Sequence, residues 1–277
     1  PMFVIDDVII LIWILFTAVV LTVNSLLLVL MIRHTPKSFA NFGIVMKFHV
    51  VSDLQTIISA AAGMNRTVTI DNAFVYIAYG PCKWVSSSVC FLSYGLMTMG
   101  GSMTLYLVLV SFIVRLQIMR NRKPSDRSII ILLSMLSFPV PTAIFVLYLS
   151  SRSEDSTMRA ILEAHLPEYA TPDMMIFGVA DVRIPTMASS LAMMLIALFP
   201  LYFVILHLRS LILNSLNDSA TFLSERTKTM HSQFVKMLTL QCIIPPVVFV
   251  TTMVPILLEH YEGFNHPLVE ATINIVR

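Results

Sequence analysis

Long uncharged runs separated by short charged clusters organise this chain. The first, about Val8 to Ile32, ends at Arg33-His34-Thr35-Pro36-Lys37, where positive charge and proline stop a helix. The second, about Ile44 to Met64, is interrupted by Lys47, His49, Asp53 and Gln55. The third, Trp84 to Val114, is uncharged over 31 residues. As a helix rising about 1.5 Å per residue it reaches roughly 46 Å, beyond the ~30 Å hydrocarbon layer of a bilayer, so it must tilt. A fourth run, about Ser128 to Leu149, contains Pro139 and Pro141; a fifth, about Ile184 to Leu208, contains Pro200. The sixth, about Gln233 to Leu258, contains Pro245, Pro246 and Pro255. A seventh apolar pattern begins at 268 and stops at 277 after two turns, too short to span. Prolines at these depths kink membrane helices, and neighbouring groups satisfy the freed carbonyls.

This pattern predicts an all-α integral membrane protein: one domain over residues 1–277, a seven-helix bundle with its seventh helix truncated. Composition agrees. The chain is 57% hydrophobic and 12% charged, with a mean hydropathy of +0.82, whereas about a quarter of a soluble domain is charged. A net charge of +2 is too small to point to nucleic acid. The first run is flanked by Asp6 and Asp7 and is too long for a cleavable signal, so it reads as a retained span. A start at Pro1 reads as a fragment or a processed product. Between the fourth and fifth runs, Ser150 to Arg183 is polar and acidic, with one short amphipathic turn expected around Met158, Ile161, Leu162 and Leu166. A loop of that length can fold over something. Ser210 to His231 reads as a solvated loop with helical extensions.

Charge between the runs sets the orientation. The loops after runs one, three and five hold ten Lys and Arg: Arg33, Lys37, Arg115, Arg120, Arg122, Lys123, Arg127, Arg209, Arg226 and Lys228. The opposite side holds five: Arg66, Lys83, Arg152, Arg159 and Arg183. The positive-inside preference therefore predicts an extracellular amino terminus. Asn65-Arg66-Thr67 then faces outward as a glycosylation sequon at Asn65, close to the end of the second run. Trp13 and Trp84 fall near the outer boundary.

Catalytic patterns do not emerge. His49, His207 and His231 are scattered, and there is no HExxH, no GxSxG and no pair of aspartates on facing runs. The sequence thus predicts no enzyme, no metal and no cofactor. Cys82, Cys90 and Cys242 do not make a disulfide framework, and Cys90 and Cys242 read as small packing residues. Asp53 is costly at mid-membrane and must face the bundle interior. It reads either as an ion or proton site coupled to conformation, or as a carboxyl bonded to Asn24 and to hydroxyls of the third span. Lys47 and Lys236 read as snorkelling side chains.

Four stretches together resemble the nematode seven-transmembrane chemoreceptors, most closely the serpentine receptor class D (Srd) family. They are Asn24-Ser25-Leu26-Leu27-Leu28 with Arg33-His34-Thr35-Pro36, then Gly80-Pro81-Cys82-Lys83, then Ser111-Phe112-Ile113-Val114-Arg115, and His231 to Lys236 leading into Leu238-Thr239-Leu240-Gln241-Cys242-Ile243-Ile244-Pro245. The resemblance implies a G-protein-coupled receptor for small environmental chemicals. It implies a multi-pass protein in contact with membrane lipid, at the plasma membrane of sensory neuron cilia, and a heterotrimeric G protein as partner. On that reading Ser87, Cys90, Tyr94 and Thr98, on one face of the third span, join Thr186, Ser190, Thr251 and Thr252 at similar depth as candidate ligand contacts. The plainer alternative is that these hydroxyls bond neighbouring backbone.

Arg115 resembles the family's arginine at the inner end of the third span. With Arg120, Arg122, Lys123, Arg226 and Lys228 it is the candidate G-protein surface, or else a membrane anchor. Asn24 and Asp53 resemble the polar pair of rhodopsin-like receptors and, with Pro200, Pro245 and Pro246, are candidate switch positions. One departure is that Ser150 to Arg183 contains no cysteine, which leaves Cys82 without a partner there. A ligand-gated channel of seven helices, or a small-solute transporter, is the rival reading; the charge count opposes the channel.

Overall fold

The computed structural model describes residues 2–34, 40–120, 124–169, 171, 174–218, and the single positions 233, 236, 239, 240 and 243. Five helical stretches among them are long and apolar enough to cross a membrane: Ile10–His34, Phe42–Gly63, Ser87–Met119, Asp126–Leu149 and Pro185–Ser215. They match the first five expected spans. The sixth and seventh fall almost entirely outside the described residues.

Helix α1 (Met2–His34) packs along α2 (Ala40–Gly63) and keeps Leu15, Phe16, Val19 and Val23 exposed, as a lipid-facing helix does. Helix α3 (Ser87–Met119) is the axis of the bundle, half of its most apolar stretch being enclosed by other elements. It starts at Ser87 because Ser86 caps it, its hydroxyl accepting from the Val89 amide at 3.3 Å. The expected start at Trp84 instead lies in a 3-10 turn, Pro81–Trp84. The fourth span is two helices, α4 (Asp126–Ser137) and α5 (Pro139–Leu149), because Pro139 and Pro141 interrupt the hydrogen-bond ladder around Phe138. Pro200 is carried inside α7 (Pro185–Asp218), which extends well past the expected end at Leu208.

The connections hold more order than expected. The anticipated amphipathic turn is α6 (Asp155–His165), which buries Met158 and Leu162. Beside it lies an element the sequence reading missed, a three-stranded antiparallel sheet of β1 (Asn65–Ile70), β2 (Ala73–Ala78) and β3 (Met175–Val179), in that order. The architecture is therefore a helical bundle capped by a small sheet. Asp71 turns the hairpin with φ at 51°, a left-handed conformation Asp tolerates. Ile70 pairs with Ala73, and Tyr76 pairs with both Thr67 and Phe177.

The alternation of side chains gives the sheet two apolar faces. Val68, Ile70, Val75, Ile77 and Ile176 pack with Met158, Leu162 and Tyr169 into a core shared with α6. On the other face Tyr76, Ala78, Phe177 and Val179 pack onto Phe91 and Tyr94 of α3, Tyr148 of α5 and Met187 of α7. Gly178 permits the close approach of β3, since a Cβ there would lie 2.0 Å from the Phe74 carbonyl oxygen and 2.9 Å from Met158 Sδ. Sheet and α6 thus form a two-layer cap over one end of the bundle.

Candidate functional site

Five rings gather where the cap meets the bundle. Tyr76 and Tyr94 have centroids 4.4 Å apart, Tyr76 and Phe177 5.4 Å, and Phe91 stacks on Tyr148 at 4.4 Å with a 12° interplanar angle. Tyr94 also meets Tyr148 at 5.7 Å, and Phe91 meets Phe177 edge-on at 6.1 Å. Each pair adds about 0.5–1.5 kcal/mol beyond simple burial. All five rings are buried.

A polar rim fastens one edge of this contact. Arg152 donates to Ser87 Oγ at 2.8 Å, to Asp155 at 3.0 Å and to Ser88, while Ser87 donates to Asp155. The guanidinium also lies over the Phe91 ring, 6.0 Å from its centroid. On the far side the Val182 amide donates to the Asn72 carbonyl at 2.8 Å.

Of the predicted ligand contacts, Tyr94 sits in the ring cluster. Ser87 belongs to the rim rather than to the bundle interior. Thr98 donates to the Tyr94 carbonyl at 3.0 Å and Ser190 to the Ile144 carbonyl at 3.3 Å, which is the plainer role for those hydroxyls. Thr186 Oγ1 is buried with no hydrogen-bond partner among the described residues. Cys90 requires a correction. It is disulfide-bonded to Cys82, Cα atoms 5.1 Å apart, so it is neither a free packing thiol nor available to a ligand. The partner of Cys82 comes from the first turn of α3 because the 3-10 turn folds back on that helix. Asn65 opens β1 with its Oδ1 buried, and its Nδ2 lies only 2.4 Å from where a Cβ on Gly63 would be.

Below the rings, α2 and α3 are joined by a ladder of polar contacts. Ser93 donates to the Ser59 carbonyl at 2.6 Å, Gln55 to the Leu96 carbonyl at 2.8 Å, Thr104 to Asp53 at 3.3 Å, and His49 Nε2 lies 3.2 Å from Ser111 Oγ. Asp53 thus meets the expected hydroxyl of the third span. The expected Asn24 bond is absent: Asn24 Nδ2 donates to the Val20 carbonyl of its own helix at 2.9 Å, a partner within reach one turn away. By contrast α3 meets α7 through an apolar contact of Val108, Leu109 and Phe112 with Leu201, Ile205 and Ile212.

At the opposite end of α3, one turn beyond Ser111, Arg115 is 5% exposed. Enclosure of that kind differs from snorkelling into headgroups. Arg120 is exposed at the helix terminus, and Arg209 of α7 donates to Thr239 Oγ1 at 2.9 Å. Arg122, Lys123, Arg226, Lys228, Pro245, Pro246, Thr251 and Thr252 lie outside the described residues. Among the described residues no group of His, Cys, Asp and Glu is disposed to hold a metal.

Residues 9–277 match the family described as serpentine type 7TM GPCR chemoreceptor Srd. Three Caenorhabditis elegans proteins illustrate the likeness. Serpentine receptor class delta-1 is 26% identical over 231 residues, covering 81% of this chain and 62% of that relative. Serpentine receptor class delta-3 is 26% identical over 255 residues (89% and 73%), and class delta-18 is 27% identical over 266 residues (91% and 76%). The chain therefore spans about three fifths to three quarters of the length of these relatives. A match over nearly the whole sequence, on five membrane-crossing helices, makes this multi-pass chain a member of the serpentine type 7TM GPCR chemoreceptor Srd family.

Proposed function

We propose that this chain forms the body of a chemosensory receptor that takes a small environmental molecule at the capped end and activates a heterotrimeric G protein at the Arg115 end. The capped end is extracellular, with the amino terminus, in the plasma membrane of a sensory cilium. The observation that carries the reading is that α3 runs between the two ends: Phe91 and Tyr94 lie in the ring cluster and Arg115 lies enclosed towards the other terminus. Its family membership supports the same assignment.

Mechanistically, the two interfaces of α3 differ in what movement costs. Sliding α3 against α2 breaks hydrogen bonds at Ser59, Gln55, Asp53 and His49, each costly where no water replaces it. Sliding it against α7 exchanges one apolar contact for another, beside the bend that Pro200 allows. The α2–α3 pair therefore moves as one body and α7 shifts against it, opening the Arg115 end. A ligand drives this shift only by binding one arrangement better than the other.

The direct test expresses the full-length receptor in cultured cells with a second-messenger reporter and screens small volatile and water-soluble chemicals. A concentration-dependent response that needs the receptor is expected. Solute uptake or ion current without second-messenger change would replace the receptor reading with a transporter or a channel.

A further inference from the structure

We infer that the ring cluster under the cap is a ligand seat occupied here by the protein's own Tyr76 and Phe177, and that its ligand is a small, uncharged, planar aromatic molecule that takes their place. This inference rests on the receptor reading above and names the ligand class for that site.

The first ground is that the cap holds together without the bundle. Its sheet has a separate core against α6, built from Val75, Ile77, Met158, Leu162 and Ile176, on the face turned away from the rings. Lifting the cap leaves that core intact. Among the contacts that lifting breaks are the ring contact, the rim of Arg152, Asp155, Ser87 and Ser88, and the Val182 to Asn72 bond. Ser87 is buried, but Arg152, Asp155 and Ser88 are partly or largely solvent-exposed and rehydrate on separation, so the net strength of the ion pair is modest. The cap also has a built-in pivot. The disulfide Cys82–Cys90 ties the chain leaving β2 to α3, and the Gly80 amide donates to the Gly63 carbonyl at 2.9 Å at the base of the hairpin.

The second ground is the chemistry of the seat that remains. Phe91, Tyr94 and Tyr148 present ring faces, and Phe91 and Tyr148 already stack nearly parallel. A planar aromatic guest replaces Tyr76 and Phe177 ring for ring, regaining the stacking that the cap gives up. Among the described residues the buried acidic or basic side chains are His49 and Arg115, neither of them part of the cap, and Arg152, over the Phe91 ring, is already paired with Asp155. A charged guest would be buried without a counter-ion.

The test uses full-length receptor in lipid nanodiscs carrying Ala78→Cys, which places a thiol on the ring-facing side of the cap at a buried position. Its labelling by a water-soluble maleimide is followed with indole, quinoline or 2-naphthol, with cyclohexanol as the saturated comparison and the receptor without Ala78→Cys as background. The aromatic compounds are expected to raise the labelling rate at least tenfold and cyclohexanol to leave it unchanged. Phe91→Leu with Tyr148→Leu, which keeps bulk and removes stacking, is expected to abolish the aromatic effect. Rates unmoved by all three aromatics, or moved equally by cyclohexanol, overturn the seat. G-protein nucleotide exchange measured on the same samples separates the two proposals: aromatic-dependent labelling without exchange keeps the seat and discards the receptor reading. Exchange driven by another chemical without labelling does the reverse.

Discussion

Gly100 and Gly101 are adjacent on α3, yet alanine should have opposite effects at the two positions. At Gly100 a Cβ would stand 2.0 Å from Thr56 Oγ1, 2.9 Å from Gln55 Oε1 and 3.1 Å from Thr56 Cβ, all on α2. Relief requires Thr56 to rotate, which gives up its 2.9 Å bond to the Ser52 carbonyl. That bond is worth about 0.5–1.5 kcal/mol and the overpacking costs about 1–3 kcal/mol. Alanine returns about 1 kcal/mol through helix propensity. The net expectation for Gly100→Ala is a loss of about 0.5–3.5 kcal/mol. At Gly101 no described atom lies within 4 Å of the new Cβ, so Gly101→Ala should be neutral or mildly stabilising. Adding Thr56→Ala to Gly100→Ala removes the 2.0 Å clash but leaves the 2.9 Å approach to Gln55 Oε1 and the 3.1 Å one to the residue 56 Cβ, so only part of the loss should return. Thermal unfolding of detergent-solubilised protein, followed by tryptophan fluorescence, reads the parent and all three variants. Equal midpoints for Gly100→Ala and Gly101→Ala would refute the close α2–α3 crossing on which the one-body movement depends.

Further expectations follow from single contacts. Cys82→Ser or Cys90→Ser should each destabilise the protein by about 2.5 kcal/mol on the loop-closure estimate, read as a lower unfolding midpoint in both variants and their double mutant alike. Tyr94→Leu should change concentration dependence for an active chemical at unchanged surface level, and an unaltered dose response would move the ligand away from the rings. Arg115→Lys keeps the charge but loses the planar five-donor fork. It should leave surface level intact and reduce G-protein activation, whereas Arg127→Lys, at an exposed position, should do neither.

The membrane helices were legible because mean hydropathy and charge placement act over whole spans. The capped end was less so. Thr67-Val68-Thr69-Ile70 and Phe74-Val75-Tyr76-Ile77, either side of Asp71-Asn72, carry β-branched and aromatic residues around a hairpin turn. That signal was available, but short strands carry little weight beside long apolar runs. Nothing local to Met175–Val179 says that it pairs with a hairpin about a hundred residues earlier. The choice between Thr104 and Asn24 as partner for Asp53 is likewise tertiary: it depends on which face of α2 meets α3. Tyr94 lies towards the capped end of α3, and its ring partner Tyr76 comes from the unforeseen sheet. The local disulfide was not legible because Cys82 precedes the expected span and Cys90 lies inside it, and only the 3-10 turn Pro81–Trp84 folds the first back onto the opening turn of α3.

Nucleotide exchange on a purified heterotrimeric G protein tests the central claim most directly. Full-length receptor is reconstituted in one orientation into vesicles, and the G protein is supplied either to the Arg115 face or to the capped face, with the chemical that gives a cellular response. The account predicts accelerated exchange only from the Arg115 face, with the acceleration reduced in Arg115→Lys. Exchange from the capped face, or none from either face with the active chemical bound, would contradict it.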